Sequence, residues 1–132
     1  MLVLMRFTAS DTSPQAAQSL QARQETLVQS LSAAPGFSSA TLGRSPDVPE
    51  EWVVATNWDD TGSFRRGLSR YEVKLALGAL APESQNLTSV FEVIGEGHGT
   101  DWHTRASDRA ADASTAVPGI ATSGSPRFDM GE

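Results

Sequence analysis

An α+β fold organised on a four-stranded antiparallel sheet is predicted by three observations on this sequence. The run Trp52-Val53-Val54-Ala55-Thr56-Asn57-Trp58 is rich in β-branched and aromatic residues, and both of its alternating faces are mostly apolar, the pattern of a central strand. Ala17, Leu20, Gln24, Leu27 and Leu31 recur at three- and four-residue steps, the stripe of an amphipathic helix. Strand and helix patterns then follow one another as strand, helix, strand, strand, helix, strand within residues 1–95. That order is the natural one for a split βαβ, ferredoxin-like sheet with both helices on one face.

Each element has its own justification. Leu2 to Thr8 is strongly apolar, with Arg6 its only charge, and reads as the first strand rather than a leader. Asp11-Thr12-Ser13-Pro14 starts the first helix, with Ser13 as N-cap and Pro14 in the first turn, where a missing N–H costs nothing. Gln18, Gln21, Glu25 and Gln29 form its wet face, and Pro35-Gly36 stops it. Phe37 to Arg44 is the second strand, with Phe37, Ser39, Thr41 and Gly43 on one side and Ser38, Ala40, Leu42 and Arg44 on the other. A proline-punctuated loop at 45–50 returns the chain into the central strand as a hairpin. Asp59-Asp60 supplies the next N-cap and negative charge at a helix start. Phe64, Leu68, Tyr71 or Glu72, and Leu75 keep the helical rhythm, while Gly62, Gly67 and Gly78 weaken it, so a break is expected near Ser69-Arg70. Ala81-Pro82 ends this helix, Leu87 to Ile94 is the last strand, and Gly95-Glu96-Gly97 closes it.

Residues 96–132 have a different composition, dominated by Ala, Ser, Thr, Gly, Asp and Pro. Such a segment buries too little apolar surface to offset its ordering entropy, so a disordered C-terminal tail is expected to follow a domain at 1–95. The 132 residues carry a net charge of -6, which argues against a nucleic-acid surface as the main business. No apolar run is long enough to span a membrane, and the absence of cysteine excludes thiolate catalysis and disulfides, which makes a cytoplasmic location the default. Helices on one face leave the other sheet face bare, with apolar residues on strands one, three and four. A homodimer, sheet against sheet, is the simplest way to cover it.

The pattern resembles the antibiotic biosynthesis monooxygenase family, whose members are dimeric ferredoxin-like α/β barrels. The residues that carry the resemblance are the Ala34-Pro35-Gly36-Phe37 turn, the Trp52–Trp58 strand, the Trp58-Asp59-Asp60-Thr61-Gly62-Ser63-Phe64 junction and Phe64-Arg65-Arg66-Gly67-Leu68-Ser69 with Tyr71. It covers residues 1–95. It implies a small oxygenase acting on a flat hydrophobic or phenolic molecule with O₂ and no cofactor, or else a non-catalytic binding or stress-response member of the same barrel. A haem-cleaving relative of the fold carries an Asn on its first strand and an iron-ligating His on its second helix. Here Leu2–Thr8 has no Asn and the segment 71–77 no His, so haem is not expected.

Trp58, Tyr71 and Asn57 are the catalytic candidates, and Trp52, Thr56, Phe64, Leu68 and Arg6 the substrate-binding ones. Trp58 either stacks on an aromatic substrate with its indole N–H free for a substrate oxygen, or caps the core beneath the second helix. Thr56 and Trp52 share its face and both readings. Asn57 points the other way, toward an interface hydrogen bond. A bulge before Trp58 would turn it into an oxyanion donor. Tyr71 is expected to offer its hydroxyl to an ionised phenol or enol, with Arg6 or Arg44 as the cation unless they lie on the surface. His98, Asp101 and His103 are spaced loosely for a metal, with no rigid element to orient them.

Overall fold

The computed structural model of the chain describes residues 1–106, with Asn86 and Leu87 described by backbone alone. Most of the expected tail therefore lies outside the described residues. The chain divides into two units, Met1–Phe91 and a second that begins at Glu92.

In the first unit the order is β1 (Leu2–Thr8), α1 (Pro14–Ser32), β2 (Phe37–Arg44), β3 (Glu51–Trp58), α2 (Thr61–Leu68), α3 (Tyr71–Leu80) and β4 (Ser84–Phe91). A single turn of 3₁₀ helix, Ala81–Glu83, joins α3 to β4. The strands lie in the order β2-β3-β1-β4, and every neighbouring pair is antiparallel. This is the ferredoxin-like α+β topology. The two apolar strands, β1 and β3, occupy the middle of the sheet, where both edges find partners. The polar β2 and β4 take the edges.

The caps act where the sequence puts them. Ser13 Oγ accepts from the Ala16 N–H at 3.1 Å, and Asp60 Oδ1 accepts from the Ser63 N–H at 2.7 Å. The second helix is broken into α2 and α3 at Ser69-Arg70. Beyond the end of α1, Gly36 adopts φ +90° in a tight turn closed by the Phe37 N–H on the Ala34 carbonyl at 3.2 Å, which feeds the chain into β2. Leu20, Gln24, Leu27 and Leu31 of α1, Phe64 of α2 and Val73, Ala76 and Leu80 of α3 are buried, as are Val3, Met5 and Phe7 of β1 and Trp52, Val54, Thr56 and Trp58 of β3. A direct tie joins α1 to the turn after α3, where the Arg23 guanidinium grips both oxygens of Glu83 at 2.6 and 3.0 Å.

Three details differ from the sequence reading. A bulge between Phe37 and Ser39 puts Phe37 opposite Trp58, so Phe37 joins the side of Ala40 and Leu42 rather than that of Thr41. Next, β4 begins at Ser84 instead of Leu87. Ser84 and Gln85 are tolerated there because an edge strand pairs on one side only, through its backbone. Finally, the second unit is not structureless from residue 96. Gly95–His98 (β5) and Asp101–Thr104 (β6) pair antiparallel around a two-residue Gly-Thr connection, and Arg105 ion-pairs with Glu96 at 3.2 Å.

Candidate functional site

The side of the sheet that faces the helices holds a dense aromatic group at one end. Trp58 is 2% exposed, and its ring meets Phe37 edge-on at 5.4 Å and Phe64 at 5.7 Å. The indole N–H donates to Thr56 Oγ1 at 2.8 Å inside the core. Gly67 makes this packing possible, since a Cβ there would lie 2.8 Å from the Trp58 ring. The residue that weakens α2 in the sequence is thus the one that lets it approach the sheet. Trp58, Thr56 and Phe64 form a closed packing unit. The indole proton has its partner within that unit.

A cavity of about 250 Å³ opens at the other end, between the sheet and the broken second helix. Its walls are Met5 and Phe7 of β1, Leu68 of α2 and Leu77 of α3, with Thr88 and Ser84 of β4 and Arg6 at its edge. Its position follows from an irregularity in the ladder. Met5 pairs with Thr88 and Phe7 with Ser84, so a single β1 residue, Arg6, faces three on β4. The extra residues splay β4 from β1, and room appears beneath the helices. The chamber is largely apolar with two hydroxyls at its margin, while Arg6 borders it from the other face of β1, where its guanidinium donates to Ser89 Oγ at 3.4 Å.

Of the residues singled out in the sequence, Leu68 and Arg6 border this chamber. Trp52 and Thr56 are buried in the core. The ring of Trp52 carries the Arg44 guanidinium at 5.0 Å, and its own indole nitrogen has no hydrogen-bond partner. Asn57 lies on the bare face, where its amide donates to Ser39 Oγ at 3.2 Å. The bulge that would have turned it inward is on β2 instead, so the alternation of β3 is intact. Tyr71, at the start of α3, is 70% exposed, which leaves its hydroxyl in water. Trp58, Asn57 and Tyr71 therefore face three different environments. Met5, Phe7, Leu77, Ala81, Ser84 and Thr88 are the chamber residues that sequence reasoning missed. The alternation of β1 was a usable signal for Met5 and Phe7, but nothing in Ser84 or Thr88 pointed inward.

Two other features bear on chemistry. A wider hollow of about 440 Å³ lies at the Arg6 end of the sheet, where Arg6, Arg44 and Trp52 border it together with Gly43, Val53 and Gln85. On the β5–β6 hairpin, Glu96 lies opposite His103 and His98 opposite Asp101, so all four share one face. Even so, no group of three or more His, Asp or Glu side chains placed to hold a metal ion occurs among the described residues. Nor is any helix among them long and apolar enough to cross a membrane. The Ser63 backbone N–H holds the Asp60 carboxyl below its ordinary pKa, which keeps the α2 cap ionised.

Comparison with known proteins agrees with this geometry. A family model described as antibiotic biosynthesis monooxygenase matches residues 3–76, more than half of the chain. Among solved structures, SnoaB from Streptomyces nogalater, described as a cofactor-independent oxygenase, is 24% identical with a TM-score of 0.61, over 69% of this chain and 89% of that one. A mutant of the same protein gives 27% identity and a TM-score of 0.58 over the same shares of the two chains. Rv0793 from Mycobacterium tuberculosis is 17% identical with a TM-score of 0.54, over 67% of this chain and 86% of its own. No curated protein matches. The β2-β3-β1-β4 sheet and its broken second helix thus occur together with a family match that runs from β1 well into α3, and the chain belongs to the antibiotic biosynthesis monooxygenase family.

Proposed function

We propose that this protein is a cofactor-independent monooxygenase that acts on a flat, hydrophobic, phenolic substrate held in the chamber between the sheet and the second helix. The observation that carries the reading is that chamber: apolar walls from Met5, Phe7, Leu68 and Leu77, with Arg6, Ser84 and Thr88 at the margin. Its few polar groups around apolar walls are what an aromatic ligand with one or two oxygens requires. Family membership and the likeness to SnoaB support the reaction class.

The chemistry needs little from the protein. An anthrone-type substrate loses a proton to give a delocalised carbanion, and O₂ adds at that carbon. One oxygen atom stays as a carbonyl while the other leaves as water with the two hydrogens of the original methylene. The substrate supplies all four electrons, so no outside reductant enters. The Thr88 and Ser84 hydroxyls stabilise and orient the developing oxyanion, and the apolar walls exclude water. We also infer a homodimer through the bare face, where Leu2, Leu4, Val53 and Ala55 are half-buried and Phe91 is 48% exposed. A solution mass of one chain would remove that inference.

A second reading has an observation of its own. Because Trp58, Asn57 and Tyr71 do not converge, the chamber serves equally as a binding site without turnover. Oxygen uptake with anthrone separates the two. Wild type is expected to consume O₂. Thr88→Trp, which lays a large ring across the mouth from an edge strand, should cut the rate at least about tenfold with the melting temperature unchanged. Tyr71→Phe should match wild type. Anthrone binding without oxygen uptake would leave the binding reading and end the oxygenase one.

A further inference from the structure

The Arg23 guanidinium is held more completely than an ordinary surface ion pair. Its Nε–H donates to the Ser19 carbonyl and hydroxyl oxygens, both at 3.2 Å, one turn back on α1. Nη1 donates to the Ala79 carbonyl at 2.8 Å and to Glu83 Oε1 at 2.6 Å, and Nη2 donates to Glu83 Oε2 at 3.0 Å. The Arg23 and Glu83 side chains are 28% and 13% exposed, so the pair is largely shielded. A planar fork fixed at its root and two-pronged at its tip sets position as well as charge.

What it holds is the single turn Ala81–Glu83 between α3 and β4. Ala81 within that turn and Ser84 directly after it both line the chamber. Ser84 pairs with Phe7 and shares its inward face, but the β1–β4 register shifts immediately beyond that pair. A regular ladder would fix Ser84 from both sides, whereas here the turn before it takes over part of that task. No described residue of α1 lines the chamber. We propose that Arg23 is a positioning residue: acting through Glu83, it sets the Ser84 hydroxyl against the substrate oxygen without touching the substrate. The proposal rests on the chamber reading given above. Releasing the fork misaligns a hydrogen bond to the developing oxyanion, while Met5, Phe7, Leu68 and Leu77 still hold the rings. The loss therefore falls on kcat rather than KM.

Oxygen uptake with anthrone is measured in a cycle of wild type, Arg23→Met, Ser84→Ala and the double variant, well below every melting temperature. Arg23→Met and Ser84→Ala should each lower kcat about tenfold, the effect of one neutral hydrogen bond, with KM within about twofold of wild type. The double variant should be no slower than Ser84→Ala, because the fork acts through that hydroxyl. Glu83→Gln, which keeps the shape of the side chain, should reproduce Arg23→Met, and combining those two should add nothing. Losses that multiply in the Arg23→Met, Ser84→Ala double variant, or an Arg23→Met enzyme as fast as wild type, overturn the proposal and leave the chamber reading standing. A wild type that consumes no oxygen with anthrone overturns both.

Discussion

Thr56→Val tests how the aromatic end of the core is held. Thr56 is 1% exposed, and its hydroxyl oxygen accepts the Trp58 indole N–H at 2.8 Å. Valine has nearly the same volume, so no cavity forms. What changes is that a buried N–H loses its partner, a loss of about 1–3 kcal/mol. The added methyl returns up to about 0.8 kcal/mol of apolar burial, leaving a net destabilisation of ~0.2–2.2 kcal/mol, centred on about 1 kcal/mol. With a urea slope of about 1 kcal/mol/M for a domain of this size, the midpoint should fall by ~1 M at unchanged slope. The cause is isolated by repeating the substitution in Trp58→Phe, which has no indole donor. There Thr56→Val should be close to neutral, giving a coupling of ~1 kcal/mol across the cycle. Equal effects in the two backgrounds, or none in wild type, would refute the reasoning and return the indole N–H to the list of groups free for a substrate.

Two further substitutions probe the same packing. Gly67→Ala gains about 1 kcal/mol of helix propensity but sets a Cβ 2.8 Å from the Trp58 ring, a clash of ~1–3 kcal/mol, so calorimetry should show a lower melting temperature despite the better helix former. Glu83→Gln breaks the two-pronged grip of Arg23, at a loss of ~1 kcal/mol once solvent screening of this partly exposed pair is allowed for. The Arg23 hydrogen bonds hold the Glu83 carboxyl below its ordinary pKa, so its stabilisation is present above the ordinary carboxylate range and is lost as pH falls through the lowered folded value. Urea midpoints of wild type and Glu83→Gln should therefore differ at neutral pH and converge in acid.

What the sequence disclosed and what it hid follow from the range of the forces involved. Ser13, Asp60 and Gly36 act on backbone groups within a few residues of themselves, so the caps and the turn were readable. The β3 alternation was readable too, because period-two burial needs no knowledge of the partner strand. Phe37 was misplaced because its facing depends on a bulge in the β2–β3 ladder, a property of two strands at once. The start of β4 was misplaced because an edge strand need not be apolar. Tyr71 looked like an inward residue only because Phe64 and Leu68 precede it at helical spacing. The break at Ser69-Arg70 resets that phase, and α3 buries Val73 and Ala76 instead. The hairpin at 95–104 was hidden by its composition. Gly, Glu, His and Asp carry no core signal, and the pairing there is backbone to backbone.

The β1–β4 irregularity ties these threads to function. A regular ladder would bring the flanks of Arg6 together and leave β4 parallel to the floor of α2 and α3. Setting three β4 residues against one on β1 moves Ser84 and Thr88 outward and opens the chamber there, while the β1–β3 ladder on the other side keeps its register from Leu2 to Thr8. An edge strand is the one place in the sheet where this distortion costs a single ladder. The same choice sets the chamber at the far end of the sheet from Trp58, whose neighbours Phe37, Phe64 and Gly67 close the aromatic end against any ligand. Close packing and open volume are thus divided between the two ends of one sheet face.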